Sequence, residues 1–117
     1  MPVRSLNSSV LIWPKREQVV TALEAWAKKT KAVNPALCRV GYFGSVARGD
    51  WGVGSDLDVV ILVEESKLPF ERRAILFDLS DLPVAVDVLV YTAAEWERLT
   101  NRRAGKRWWE EVIWLSL

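Results

Sequence analysis

Two aspartates separated by a single residue, Asp56 and Asp58, stand at the head of the apolar run Val59-Val60-Ile61-Leu62-Val63. In an extended strand residues i and i+2 point to the same side, roughly 6.6 Å apart along the chain, so both carboxylates share one face. Aspartate is depleted in strands, and two like charges on one face repel unless something positive sits between them. A divalent cation answers that need: Mg²⁺ takes oxygen ligands and is commonly held by one or two carboxylates plus substrate phosphates. The plainer alternative has Asp56 capping the turn beside Ser55 and Asp58 solvated at a strand end, and the pair alone leaves both readings open. A third acid, Asp87, interrupts the run from Val84 to Tyr91. There Val84, Val86, Val88 and Val90 occupy one face, and Ala85, Asp87, Leu89 and Tyr91 the other. An unpaired carboxylate buried mid-strand would be costly. If the two strands are neighbours, Asp87 joins Asp56 and Asp58, and three carboxylates on one sheet face make sense around metal ions.

Upstream lies a glycine-rich turn, Gly44-Ser45-Val46-Ala47-Arg48-Gly49-Asp50. It begins like a P-loop, but Asp50-Trp51 stands where Lys and Ser/Thr are required, so the P-loop is rejected. What is left is a strand ending in Gly-Ser, followed by a segment able to turn helical, whose backbone N–H groups can point at one anion. Gly44 has no Cβ to block close approach, and Ser45 supplies a hydroxyl. An ordinary tight turn is the alternative for Gly-Ser alone. Arg48 could add charge at a phosphate, but pairing with Asp50 to shape the loop is the favoured role.

Taken together, Gly44-Ser45-Val46-Ala47-Arg48-Gly49-Asp50, Ser55-Asp56-Leu57-Asp58-Val59-Val60-Ile61 and Val86-Asp87-Val88-Leu89 resemble the minimal nucleotidyltransferases of the DNA polymerase β superfamily, over about residues 37 to 98. The resemblance implies that Gly44 and Ser45 bind the triphosphate of ATP or another NTP, and that Asp56 and Asp58 hold two Mg²⁺ ions. It implies further that Asp87 completes the metal site and helps deprotonate the acceptor. No position in the three motifs departs from the pattern, so an active enzyme is expected. In the chemistry implied, a hydroxyl attacks the α-phosphate as pyrophosphate leaves, with two metals roughly 3.5–4 Å apart stabilising both oxygens. Members with little beyond the catalytic core pair with a helical HEPN toxin, and the resemblance suggests an antitoxin that transfers AMP to a tyrosine of that partner. Relatives that modify aminoglycosides carry an additional helical domain, absent from these 117 residues, so a protein acceptor is favoured. Two other readings stay open: a module that neutralises a toxin by contact with its metal site idle, and a small-molecule, antibiotic-type nucleotidyltransferase.

The elements that must position these residues follow from periodicity. A helix from about Pro14 to Ala32 is expected from Val19, Leu23, Trp26 and Ala27, stopped by Asn34-Pro35. Arg39 to Phe43 reads as a strand, and Leu57 to Val63 as a strand buried on both faces. Pro69 opens a helix with Phe70, Ala74 and Phe77 at i, i+4 and i+7, closed by Asp81-Leu82-Pro83. Val84 to Tyr91 is a third strand. Thr92 and Glu95 make a capping box for the next helix, which Gly105 ends. Trp108 to Leu117 is a helical turn or a closing strand, undecided by periodicity. The alternation gives one α/β domain, residues 1–117, with helices packed on a small sheet, and the resemblance implies that it is the nucleotidyltransferase, polymerase β-like fold with a mixed sheet.

Composition narrows the function. Half of the 117 residues are apolar, enough for a core of normal depth. Sixteen Lys+Arg against fifteen Asp+Glu give a net charge of +1, too balanced for bulk nucleic-acid binding. The single cysteine, Cys38, cannot form an internal disulfide and fits the cytoplasm. No signal peptide or membrane span is visible, since Val59 to Val63 is far short of the about 20 residues a bilayer helix needs. The absence of histidine excludes Ser/His and Cys/His catalysis and His-ligated zinc. Of seven tryptophans, Trp26 and Trp96 are expected to pack helices and Trp108, Trp109 and Trp114 to cover the sheet. Trp51 is a candidate contact for adenine or a partner. Arg98, Arg102, Arg103, Lys106 and Arg107 form a basic cluster, either a solvated face or a contact for an acidic surface or a triphosphate.

Overall fold

A computed structural model describes residues 13–102 and 105–117. Its sheet has four strands in the order β3-β2-β1-β4, where β1 is Leu37–Phe43, β2 is Leu57–Val63, β3 is Val86–Thr92 and β4 is Ile113–Trp114. β1 runs antiparallel to β2 and β4, and β2 runs parallel to β3. This is the mixed α/β sheet expected.

Helix α1, Arg16–Val33, covers one face of the sheet. It starts after Lys15 rather than at Pro14, because the Gln18 side chain accepts the Lys15 N–H at 2.9 Å and closes the first turn. Val19, Leu23, Trp26 and Ala27 are buried in one cluster with Val40, Tyr42, Leu57, Val59, Ile61 and Val90. Each fully buried side chain of this size contributes about 1.5–3 kcal/mol. β2 is buried on both faces except at Asp58, which is half-buried. Such a strand reads as a continuous apolar run, which is why the sequence marks it so clearly.

The segment after Pro69 departs from expectation. Phe70–Leu76 forms a 3₁₀ helix, and it ends at Leu76 rather than at Asp81-Leu82-Pro83. With three residues per turn, Phe70, Ala74 and Phe77 no longer share a face, so only Phe77 of the three is buried. The buried residue on the 3₁₀ helix is Arg73, 5% exposed. Its Nε donates to the Leu68 carbonyl at 2.9 Å and its Nη1 to the Val90 carbonyl at 3.2 Å, while both terminal nitrogens donate to Glu95, at 2.5 and 3.0 Å. Every guanidinium nitrogen thereby has a partner, and Arg73 takes the buried place on this segment that Phe70 and Ala74 were expected to share.

Glu95 also closes the capping box of α3, Ala93–Thr100: it accepts the Thr92 N–H at 2.9 Å, and Thr92 Oγ1 accepts the Glu95 N–H at 3.2 Å. Helix α3 ends at Thr100, and Asn101 caps it, so Gly105 belongs to the following turn instead. The undecided C-terminal stretch contains both forms, a 3₁₀ turn at Trp108–Glu111 and then β4 along β1. An aromatic chain covers the second sheet face, with ring centroids 4.7 Å apart for Phe43–Trp108, 5.7 Å for Trp96–Trp108 and 5.5 Å for Trp96–Trp114. Arg39 lies over the Trp114 ring at 3.9 Å. Among the described residues no helix is long and apolar enough to cross a membrane.

Candidate active site

The register between β2 and β3 decides where the acids meet. Asp58 pairs directly with Asp87, flanked by Leu57 with Val86 and Val59 with Val88. Paired residues on neighbouring strands lie about 4.8 Å apart with side chains on the same face. Asp56 precedes β2 by one residue and is exposed. Asp87, read from the sequence as a mid-strand acid, is instead the second residue of β3 and is exposed too. At the strand start its carboxylate stays in water and incurs no burial cost.

The three charges are nevertheless felt at one place. Burial pushes the Asp58 carboxyl above its ordinary value, and the charges of Asp87 and then Asp56 push it further the same way, while Arg48 opposes them. Asp58 is thus the centre of a local excess of negative charge. Oxygen-only donors with such an excess suit a hard cation of the Mg²⁺ kind. As they stand, no three acids among the described residues are gathered into a closed ligand set.

Phe43, the last residue of β1, is the register partner of Asp58 on its other side. The chain then turns through Gly44 into one helical turn, α2, Ser45–Arg48. Gly44 has φ +75° and ψ −148°, a conformation that essentially only glycine adopts. A Cβ at Gly44 would fall on Asp58 Oδ2, with Asp58 Cγ 3.2 Å away. Gly44 is therefore required first by its contact with the acid. The Gly44 carbonyl accepts the Ala47 and Arg48 N–H groups, both at 3.0 Å, leaving those of Ser45 and Val46 at the open end of the turn. Ser45 is half-buried.

Arg48 is 3.5 Å from Asp50 and donates to Glu111 at 3.2 Å, which ties the glycine turn to the C-terminal 3₁₀ turn. The pairing with Asp50 was expected. Glu111 was not, because nothing in the sequence relates two residues so far apart. The glycine turn's contact with Asp58 and the position of Phe43 beside the acids were also missed, although Phe43-Gly44 adjoins the motif and an antiparallel β1–β2 pair would have suggested both. Trp51 is corrected: its Nε1 donates to the Pro14 carbonyl at 3.0 Å and its ring packs on the core, so it is committed to structure. A groove of about 580 Å³ between α1 and the Leu76–Leu82 segment is lined by none of the candidate residues. The acids lie instead at the starts of β2 and β3, away from that groove.

Similarity to known proteins agrees with this arrangement. The Methanocaldococcus jannaschii protein MJ0141, named provisionally as a protein adenylyltransferase, is 43% identical over 54 residues, or 46% of this chain. The chain spans about half, 54%, of that relative's length. A crystal structure from Sulfolobus solfataricus, provisionally described as a nucleotidyltransferase, superposes with a TM-score of 0.57 over 71% of this chain and 75% of that one. At 24% identity it shows a shared fold. A family model described as a nucleotidyltransferase domain matches residues 23–114. Because that match takes in most of the chain, including the glycine turn and all three acids, the protein belongs to the nucleotidyltransferase domain family.

Proposed function

We propose that the chain, working as one domain, transfers a nucleoside monophosphate, AMP from ATP, onto a hydroxyl of a partner protein. The observation that carries this reading is the register that sets Asp58 beside Asp87, with Gly44 packed on Asp58 at the mouth of the glycine turn. The acceptor is a tyrosine of a HEPN-type toxin, which makes the chain an antitoxin in the cytoplasm. The provisional name of the archaeal relative, a protein adenylyltransferase, supports a protein acceptor.

In this mechanism Gly44 and Ser45 hold the triphosphate, the Ser45 hydroxyl and the free N–H groups of the turn facing its oxygens. Asp56, Asp58 and Asp87 would hold Mg²⁺, which when bound supplies charge neutralisation at the phosphates. Asp58, whose carboxyl is biased toward protonation in the free protein, gains most from that neutralisation. The acceptor oxygen attacks the α-phosphorus, the bond to the bridging oxygen breaks, and pyrophosphate departs. The exposed Asp87 carboxylate takes the acceptor's proton.

Intact mass of a co-expressed HEPN-type partner tests the reading. A gain of one adenylyl group on a tyrosine supports it. A partner neutralised in complex with this chain but unchanged in mass would instead favour inhibition by contact. Transfer onto an aminoglycoside but not onto protein would favour a small-molecule enzyme.

A further inference from the structure

We propose that Arg98, Arg102, Lys106 and Arg107 form a docking surface for an acidic polypeptide segment of the acceptor, a proposal that rests on the protein-acceptor reading above. In the sequence, residues 98–107 hold five cations and no acid, whereas the rest of the chain has eleven Lys+Arg against fifteen Asp+Glu. Positive charge is thus segregated into one segment of an otherwise acidic chain. All fifteen acids lie within the described residues, and Arg98, Arg102, Lys106 and Arg107 are exposed. Of these four, only Arg107 reaches an acid, Glu110 at 3.3 Å, in an exposed pair. The others leave their charge available.

The segment borders the catalytic face. It leads from α3 into the 3₁₀ turn, where Trp108 stacks on Phe43, the neighbour of Asp58, and where Glu111 holds Arg48 of the glycine turn. Outside this stretch the chain carries four more acids than cations, which repels the phosphates of an extended nucleic-acid strand and leaves a short acidic peptide as the better fit. Arg107 lies over the Trp109 ring, and half-exposed Trp108 and Trp109 adjoin the cations. Trp and Arg are the residue types that most often anchor protein interfaces. Complementary charge there would speed encounter and orient the acceptor hydroxyl toward Asp87.

Fluorescence anisotropy with a labelled oligo-glutamate peptide and a labelled oligo(dT) strand, at low and high salt, tests this. The triple variant Arg98→Gln, Arg102→Gln, Lys106→Gln should bind the peptide about tenfold more weakly than the parent. A control that removes the same charge elsewhere, Lys28→Gln, Lys29→Gln, Arg72→Gln, should change affinity by less than about twofold. The parent should bind oligo(dT) more weakly than the peptide, and salt should weaken peptide binding. Asp58→Asn should keep full peptide affinity, so a failure of nucleotidyl transfer and a failure of docking are separate results. Equal losses in the two triple variants would overturn the proposal, as would tighter binding of oligo(dT) or no peptide binding by the parent.

Discussion

Replacing Gly44 by alanine adds one methyl group at the most constrained point of the site. Two costs follow from the geometry. The backbone at φ +75°, ψ −148° is a glycine conformation, and holding another residue there costs about 1–3 kcal/mol. The new Cβ also falls on Asp58 Oδ2, and inserting a carbon into a filled space costs about 1–3 kcal/mol more. The sum is about 2–6 kcal/mol. Unfolding entropy of about 2.1 cal/mol/K per residue makes each kcal/mol worth about 4 °C here, so Tm should fall by roughly 8–24 °C. Thermal and urea melts without metal measure this. A cycle with Asp58→Ala separates the two costs. In that background the collision is gone and Gly44→Ala should cost only its backbone strain, giving a coupling of about 1–3 kcal/mol. Strictly additive effects, or a Gly44→Ala protein that melts with the parent, would refute the contact between glycine and acid.

Asp87→Asn should leave the metal-free protein as stable as the parent or more so, because the Asp87 charge is among the causes that raise the Asp58 carboxyl, and it should abolish transfer. Thermal melts beside a transfer assay check this, and a large loss of stability with activity retained would show Asp87 to be structural. Glu95 is held down to about 2 by the Arg73 guanidinium, so its ionised form is the one the fold stabilises. That contribution, about 3 kcal/mol, is complete above the ordinary carboxylate pKa of about 4.5 and is lost as pH falls toward 2. Urea melts from pH 7 to pH 2 should show Glu95→Gln less stable at pH 7 and closing on the parent as the pH drops; a constant gap would contradict the pairing.

Strand parity made much of the site legible. Asp56 and Asp58 sit two apart before a run that only a doubly covered strand explains, and Asp87 falls on the non-valine face of β3, so pairing those strands brings the acids together. The register itself, Asp58 on Asp87, needed the structure. The 3₁₀ segment was opaque because its geometry answers to Glu95, 22 residues away from Arg73, and not to its own apolar spacing. Gly105 resembled a helix end only because the true end, Asn101, carries no strong signal. Trp51 stood beside the motif and invited a ligand role, but its partner is the Pro14 carbonyl, which no pattern reveals.

In nucleotidyl transfer the α-phosphate, not the γ-phosphate, reaches the acceptor. Incubating the protein and a HEPN-type acceptor with Mg²⁺ and either α-labelled or γ-labelled ATP tests it most directly, with Asp58→Asn as the inactive control. Label should reach the acceptor from α-labelled ATP only, and should be lost with Asp58→Asn and with chelation of the metal. Label from γ-labelled ATP, or α-label that persists in Asp58→Asn, would contradict it.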